Sequence, residues 1–171
     1  MTQSNFGFLQ QYNQPFFQLA VTAEKNLLDD PNTTLVKLRQ LGESFSKYIA
    51  STIGIPVGVE TKQSDLLRIL ANRGYIEKEQ LDIFHFLRLA GNAANHEFTT
   101  PRKQAFEAIE LARTLSIWFH RSYKDPDFKA GKFIVPESTD VTIKQKEDLI
   151  LKLQEELKSF SSKVSNLENI S

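Results

Sequence analysis

The 171-residue chain contains no cysteine. That removes thiolate nucleophiles, dithiol redox chemistry, a disulfide scaffold and cysteine-ligated zinc together. Glycine and proline are scarce, at seven and six residues, and they gather at a few places, as breakers between helices do. Neither sign of charge is in excess. Lys+Arg and Asp+Glu both number 21, so no global field attracts a polyanion, and any nucleic-acid contact depends on a local patch. Long apolar runs are missing as well. The uncharged stretch from Tyr48 to Val59 is about 12 residues and broken by Gly and Pro, against the ~20 apolar residues that span a bilayer. The opening MTQSNFGFLQQYNQ has neither the basic start nor the apolar region of a secretory signal, so a cytoplasmic protein with no membrane partner is expected. Three histidines, at 85, 96 and 120, without a His-Glu-x-x-His or comparable cluster, supply no metal site. No P-loop or dinucleotide-binding glycine motif occurs either.

What remains is an ordinary globular composition, 40% hydrophobic and 25% charged, long enough to bury a core without metal or staple. Helical spacing dominates it. Asn13 to Leu28 reads as a first helix, with Phe16, Phe17, Leu19, Ala20, Ala23 and Leu27 grouped three and four apart and Pro15 in the first turn. Asp30 followed by Pro31 starts a second, since the carboxylate accepts from free backbone N–H groups and Pro has none to leave unpaired. Its stripe Leu35, Leu38, Phe45, Ile49 includes Gly42, where another helix crosses closely unless the helix simply tolerates the cost. Gly54 and Pro56 end it. Ser64 with Asp65 opens a short third helix closed by Gly74, Glu77 to about Asn95 forms a fourth, and Thr100 with Pro101 opens a fifth that is apolar on much more than one face and hence central.

No stretch alternates with period two, so the expected fold is all-α: a bundle of about five helices over residues 1–123, a linker or strap over 124–140, and a C-terminal coiled-coil-like helix over 141–171. In that last segment Ile143, Ile150, Leu153, Leu157, Phe160, Val164 and Leu167 follow heptad spacing, broken only by Lys146. The pattern runs on to Ser171, as expected of a piece of a longer polypeptide.

The segment from Leu81 to His96 carries the chemistry. At about 100° per residue, with Arg88 at zero, His85 falls near 60°, Asn92 near 40°, Asn95 near −20° and His96 near 80°. All five polar side chains share one arc. Ile83, Phe86, Ala90, Ala93 and Ala94 fall opposite, as a buried stripe, and the small residues Ala90, Gly91, Ala93 and Ala94 admit a neighbouring backbone, which would set the arc in a tight crevice or a subunit contact. A guanidinium, two amides and two imidazoles offer a cation for phosphate, hydrogen bonds for a ribose or base, and a proton carrier near neutral pH. Three readings of the arc stand: a structural polar cluster, a ligand or partner site, and a catalytic site. Nearby, Arg102, Lys103, Arg113, Arg121, Lys124, Lys129 and Lys132 outnumber Glu107, Glu110, Asp125 and Asp127, which reads as a modest basic patch or as a solvated face.

The segments SNFGFLQQYNQPFFQLAVTAEKNLLDDPNTTLVKLRQLGE, FHFLRLAGNAANH and ARTLSIWFHRSY resemble the N-terminal helical domain of the restriction (R) subunit of type I restriction-modification enzymes. The likeness covers about residues 4 to 136, and its signature is Arg, then Gly-Asn, then a small-residue pair, then His. It implies an accessory domain, for assembly or nucleic-acid contact, of an enzyme that cleaves DNA with ATP-driven translocation. ATP and Mg2+ would act only in downstream domains, with no cofactor here. Implied partners are the other subunits of a restriction-modification complex, DNA, RNA or a second copy of the chain. That domain family is also similar to the higher eukaryotes and prokaryotes nucleotide-binding (HEPN) superfamily, whose active members cut RNA without metal using an Arg and a His four to six residues apart. Carried over, this alternative assigns Arg88 and His96 the catalysis and Asn92 a companion role. Seven residues, Leu89 to Asn95, separate the pair here. The binding residues expected from the helical arc are His85, Arg88, Asn92, Asn95 and His96.

The heptad seam generates a first test. Removing residues 141–171 should leave a folded bundle while reducing any self-association, read by thermal melting and sedimentation. A truncated protein that unfolds would place that helix in the core.

Overall fold

A computed structural model describes residues 4–96, 102–136 and 143–170, the side chains of 96, 143–147 and 165–170 excepted. The described residues are all helical, with no strand, and the chain divides into two units, Met1–Pro136 and Glu137–Ser171. The first contains a 3-10 helix, Gly7–Gln11, then α1 Phe16–Asn26, α2 Pro31–Thr52, α3 Gln63–Asn72, α4 Lys78–His96 and α5 Arg102–Tyr123; the second is α6, Ile143–Ile170. The expected start of α5 at Thr100 and Pro101, and residues 137–140 of the expected strap, lie outside the described residues.

The breakers act as their chemistry requires. The Asp30 side chain accepts from the Thr33 N–H at 3.2 Å, with Pro31 in the first turn of α2. Gly54 and Gly74 take φ of +74° and +81° just past α2 and α3, the left-handed conformation that glycine reaches without a Cβ penalty. Two boundaries differ from expectation. α1 begins at Phe16 rather than Asn13 because Tyr12 leaves the 3-10 helix extended, at φ −102° and ψ 149°, and carries its ring into the core. α3 begins at Gln63, with Lys62 as a cap that offers no side-chain acceptor, so Asp65 sits inside the first turn, where its charge faces the positive end of the helix.

α2 is the hub: it packs most extensively on α4 and α1, and also touches α5 and α3. Thr34 on α2 donates to the Ala23 carbonyl of α1 at 2.7 Å, and Ser46 to the Gln63 side chain of α3 at 2.9 Å. Aromatic rings fill the junction of α1, α2 and α5. Phe45 stacks on Phe119 at 4.3 Å between centroids, and Phe16 meets both edge-on at 4.8 and 5.4 Å. Such pairs add about 0.5–1.5 kcal/mol each beyond their buried area.

The N-terminal segment and residues 124–136 hold one another. Glu24, nearly buried, accepts from Ser4 and from both the backbone and side-chain N–H of Asn5. Asn5 in turn donates to the Ile134 carbonyl at 2.6 Å and accepts from the Ile134 N–H at 2.7 Å. Arg113 on α5 adds donations to the carbonyls of Asn5 and Gly131.

In the second unit, Leu149, Ile150, Leu151, Leu153, Leu157, Phe160 and Val164 are exposed. The apolar seam of α6 is therefore open to solvent; Ile143, Lys146 and Leu167 lie outside the described side chains. Among the described residues no helix is long and apolar enough to cross a membrane.

The two helical glycines behave oppositely. A Cβ on Gly42 would meet Phe84 and Leu87 at 3.8 and 3.9 Å, an ordinary contact, whereas one on Gly91 would overlap the Arg39 stem and lie 2.9 Å from the Leu35 carbonyl oxygen. The intimate crossing is at Gly91. Gly42→Ala should accordingly be neutral or stabilising by up to about 1 kcal/mol through helix propensity, and Gly91→Ala should cost about 1–3 kcal/mol through overpacking. Urea denaturation of the two variants checks the contrast.

Candidate functional site

α4 presents the polar arc because its opposite face is committed to the core. Ile83, Phe84, Leu87, Ala90 and Ala94 are buried, along with Gly91. Ala93, expected in the buried stripe, is exposed, and Phe86 is only half-buried. The buried face is centred on Leu87 and Gly91, so it is rotated toward the polar arc. That rotation leaves Arg88 and His85 half-buried at the rim while Asn92 and Asn95 are exposed. His96 is the last residue of α4, and its side chain lies outside the described residues.

Of the five arc residues, the structure brings His85 and Arg88 into contact. The Arg88 Nε donates to His85 Nδ1 at 3.4 Å, with Nη2 at 3.3 Å from the same atom. A ring nitrogen that accepts from a guanidinium is unprotonated, which makes His85 neutral. Burial and the Arg88 charge accordingly hold its imidazole below the usual range, with Asp82 opposing them. Among the described residues Arg88 has no carboxylate within ion-pairing distance. The ion pairs among the described residues are Arg39–Glu43, Arg68–Asp65 and Lys78–Asp82.

Sequence reading missed Arg39. Its stem lies against the backbone of α4 at Gly91, its Nη1 pairs with Glu43 at 2.7 Å, and its Nε is buried without an acceptor. Gly91 follows Arg88 by three residues and precedes Asn95 by four, and residues so spaced are helix-surface neighbours about 5–6 Å apart. The signal available in the sequence was Gly91 itself, which demands a close neighbour without naming it.

The basic patch read around α5 is partly spent on structure. Arg113 donates to the Asn5 and Gly131 carbonyls, Arg121 to Phe128, and Lys124 to Gln11 while lying 4.5 Å from the Tyr12 ring centre. Arg102, Lys103, Lys129 and Lys132 are exposed. A separate cavity of about 420 Å³ beside the C-terminal turns of α2, lined by Lys47, Ser51, Ile55, Val57, Gly58 and Val59, includes none of the arc residues.

His120 is the counterexample to the arc. It is fully buried, its Nδ1 lies 2.9 Å from the Tyr12 hydroxyl, and Phe8 and Phe128 enclose the ring. With Tyr12 donating, the ring proton sits on Nε2, which has no partner among the described residues. Burial lowers this imidazole's affinity for protons, Asp125 opposes the effect and Lys124 adds to it. The unfolded chain therefore takes up the proton first. Stability should be level above about pH 6.5 and fall below it, by up to about 1.4 kcal/mol per pH unit from this group. His120→Gln, which retains an acceptor for Tyr12, should have a flatter urea midpoint between pH 6.5 and 5 than the parent.

Over 155 residues the chain is 38% identical to the Type I restriction enzyme EcoKI endonuclease subunit of Escherichia coli (strain K12), an alignment that takes in 90% of this chain and 13% of that protein. The chain thus spans about an eighth of the length of the relative it matches. No protein-family model and no solved structure matches it.

Proposed function

We propose that the chain is the N-terminal accessory domain of the R subunit of a type I restriction enzyme, and that the exposed face of α4 is where it contacts an anionic partner. The identity to an endonuclease subunit across nine-tenths of the chain carries the first half. Arg88, with no carboxylate partner among the described residues and with the exposed amides of Asn92 and Asn95 on the following turns, supports the second. Exposed amides need no internal partners, so these residues are free to bind, whereas a structural polar network would be buried and mutually satisfied. On this reading the domain works in the cytoplasm and holds no cofactor; DNA cleavage, translocation, ATP and Mg2+ belong to the rest of the parent subunit. Its partners are the other subunits of the complex and the nucleic acid they handle.

If these side chains serve binding and not the core, Arg88→Ala and His96→Ala should each leave stability within about 1 kcal/mol, while weakening restriction by the intact enzyme or binding of a labelled oligonucleotide. A loss of about 1–3 kcal/mol in both would instead make the arc structural. The alternative of a metal-independent RNase of the HEPN superfamily, using Arg88 and His96, demands more. The isolated domain must cut RNA in EDTA and lose about 10²- to 10⁴-fold of that rate in His96→Ala. Wild-type protein that leaves RNA intact under those conditions eliminates it.

A further inference from the structure

The contacts of the two helical glycines fix how α2 and α4 run past one another. Gly42 lies level with Phe84 and Leu87, and Gly91 level with Leu35 and Arg39, so the helices are antiparallel. Arg39 starts at the Gly91 level and reaches along α2 to Glu43, next after Gly42. Its guanidinium is therefore directed back toward the turn of α4 that carries Arg88. We infer that Arg39 and Arg88 together form one phosphate-binding site across the Gly91 crossing. This rests on the reading of the α4 face as a binding face, and it adds the second cation and the chemical class of the ligand.

Several features converge on an anion here. Arg39 is held at its stem by the α4 backbone and is pre-placed, so little rotamer freedom remains to be lost on binding. Its Nε is buried without an acceptor among the described residues, so the guanidinium is incompletely satisfied within the fold. The Arg88 head is anchored through Nε and Nη2 to the neutral His85, which leaves Nη1 to donate. Glu43 pairs with Arg39, and among the described residues no carboxylate pairs with Arg88, so the two arginines with Glu43 keep a net positive charge. A phosphate, with several acceptor oxygens at tetrahedral angles, suits two planar forks better than a carboxylate does.

Binding of a fluorescein-labelled single-stranded oligonucleotide, and competition by inorganic phosphate, test the assignment on the whole chain. Arg39→Ala and Arg88→Ala should each weaken oligonucleotide binding about tenfold, and the double variant should lose less than the product of the two. Because both grip one phosphate, the slope of log affinity against log salt should fall by about 0.7 in each single variant and by no more in the double. Glu43→Gln, which leaves the Arg39 stem in place, should tighten binding several-fold and make competition by phosphate more effective. It keeps the test decisive if Arg39→Ala fails to fold. Loss in Arg88→Ala with none in Arg39→Ala, or an unchanged affinity in Glu43→Gln, overturns the shared site while the binding face stands. If neither arginine matters, the binding face itself is refuted. Phosphate competing equally well against the double variant would place the anion elsewhere.

Discussion

At the crossing of α2 and α4 the backbone of one helix lies against the side-chain stem of the other with nothing between. Gly91 permits it, since any Cβ there would overlap Arg39 and press on the Leu35 carbonyl. α2 is the element that touches the other four helices of the first unit, so its separation from α4 sets the register in which Phe84, Leu87 and Ala94 enter the core. The same closeness turns α4 so that its polar residues sit at the rim of the contact. A protein interior packed to crystal-like density transmits such a constraint instead of absorbing it.

The cations of the first unit divide by what neutralises them. Arg113, Arg121 and Lys124 donate to backbone carbonyls of the N-terminal segment or of residues 128–131, tying the chain where it folds back. Arg88 faces a neutral imidazole instead, and Arg39 pairs with one carboxylate, Glu43. Counting charges along a sequence cannot make this distinction, because carbonyl acceptors are equally spaced along every chain and only the fold decides which of them an arginine meets.

Local chemistry made most of the bundle legible. Asp30 with Pro31, Gly54 and Gly74 each mark a helix end through a property of one or two residues, and the three-and-four spacing of Phe16 to Leu27 or Leu35 to Ile49 reports one helix face. What stayed hidden depends on two segments at once. Gly42 and Gly91 look alike in sequence, and of the two readings open for Gly42, a close crossing or a tolerated cost, the structure takes the second, because clearance depends on interhelical register. Tyr12 breaks the first helix because its ring and hydroxyl find Phe16 and His120, the latter more than a hundred positions away. Of the expected arc, Asn92 and Asn95 are exposed and His85 and Arg88 half-buried, while the buried face opposite lies elsewhere than expected. Ala93 fell on the solvent side because the buried face turns toward Gly91, and Arg39 belongs to another helix altogether.

The bracket that Asn5 makes with Ile134 closes the first unit into a ring. One amide both gives a hydrogen bond to a backbone position and takes one from it, at a point where the two chain ends of that unit meet. Tension applied between those ends is therefore borne by this bracket and by the Arg113 donations beside it, while the helices between them carry none until it parts. Two short hydrogen bonds loaded together resist a pull that would peel a single contact, and they reform without any helix having moved. The unit is in effect a buckle: it can be tugged through its termini while the spacing of α2 and α4, and with it the geometry of the exposed face, stays as it was.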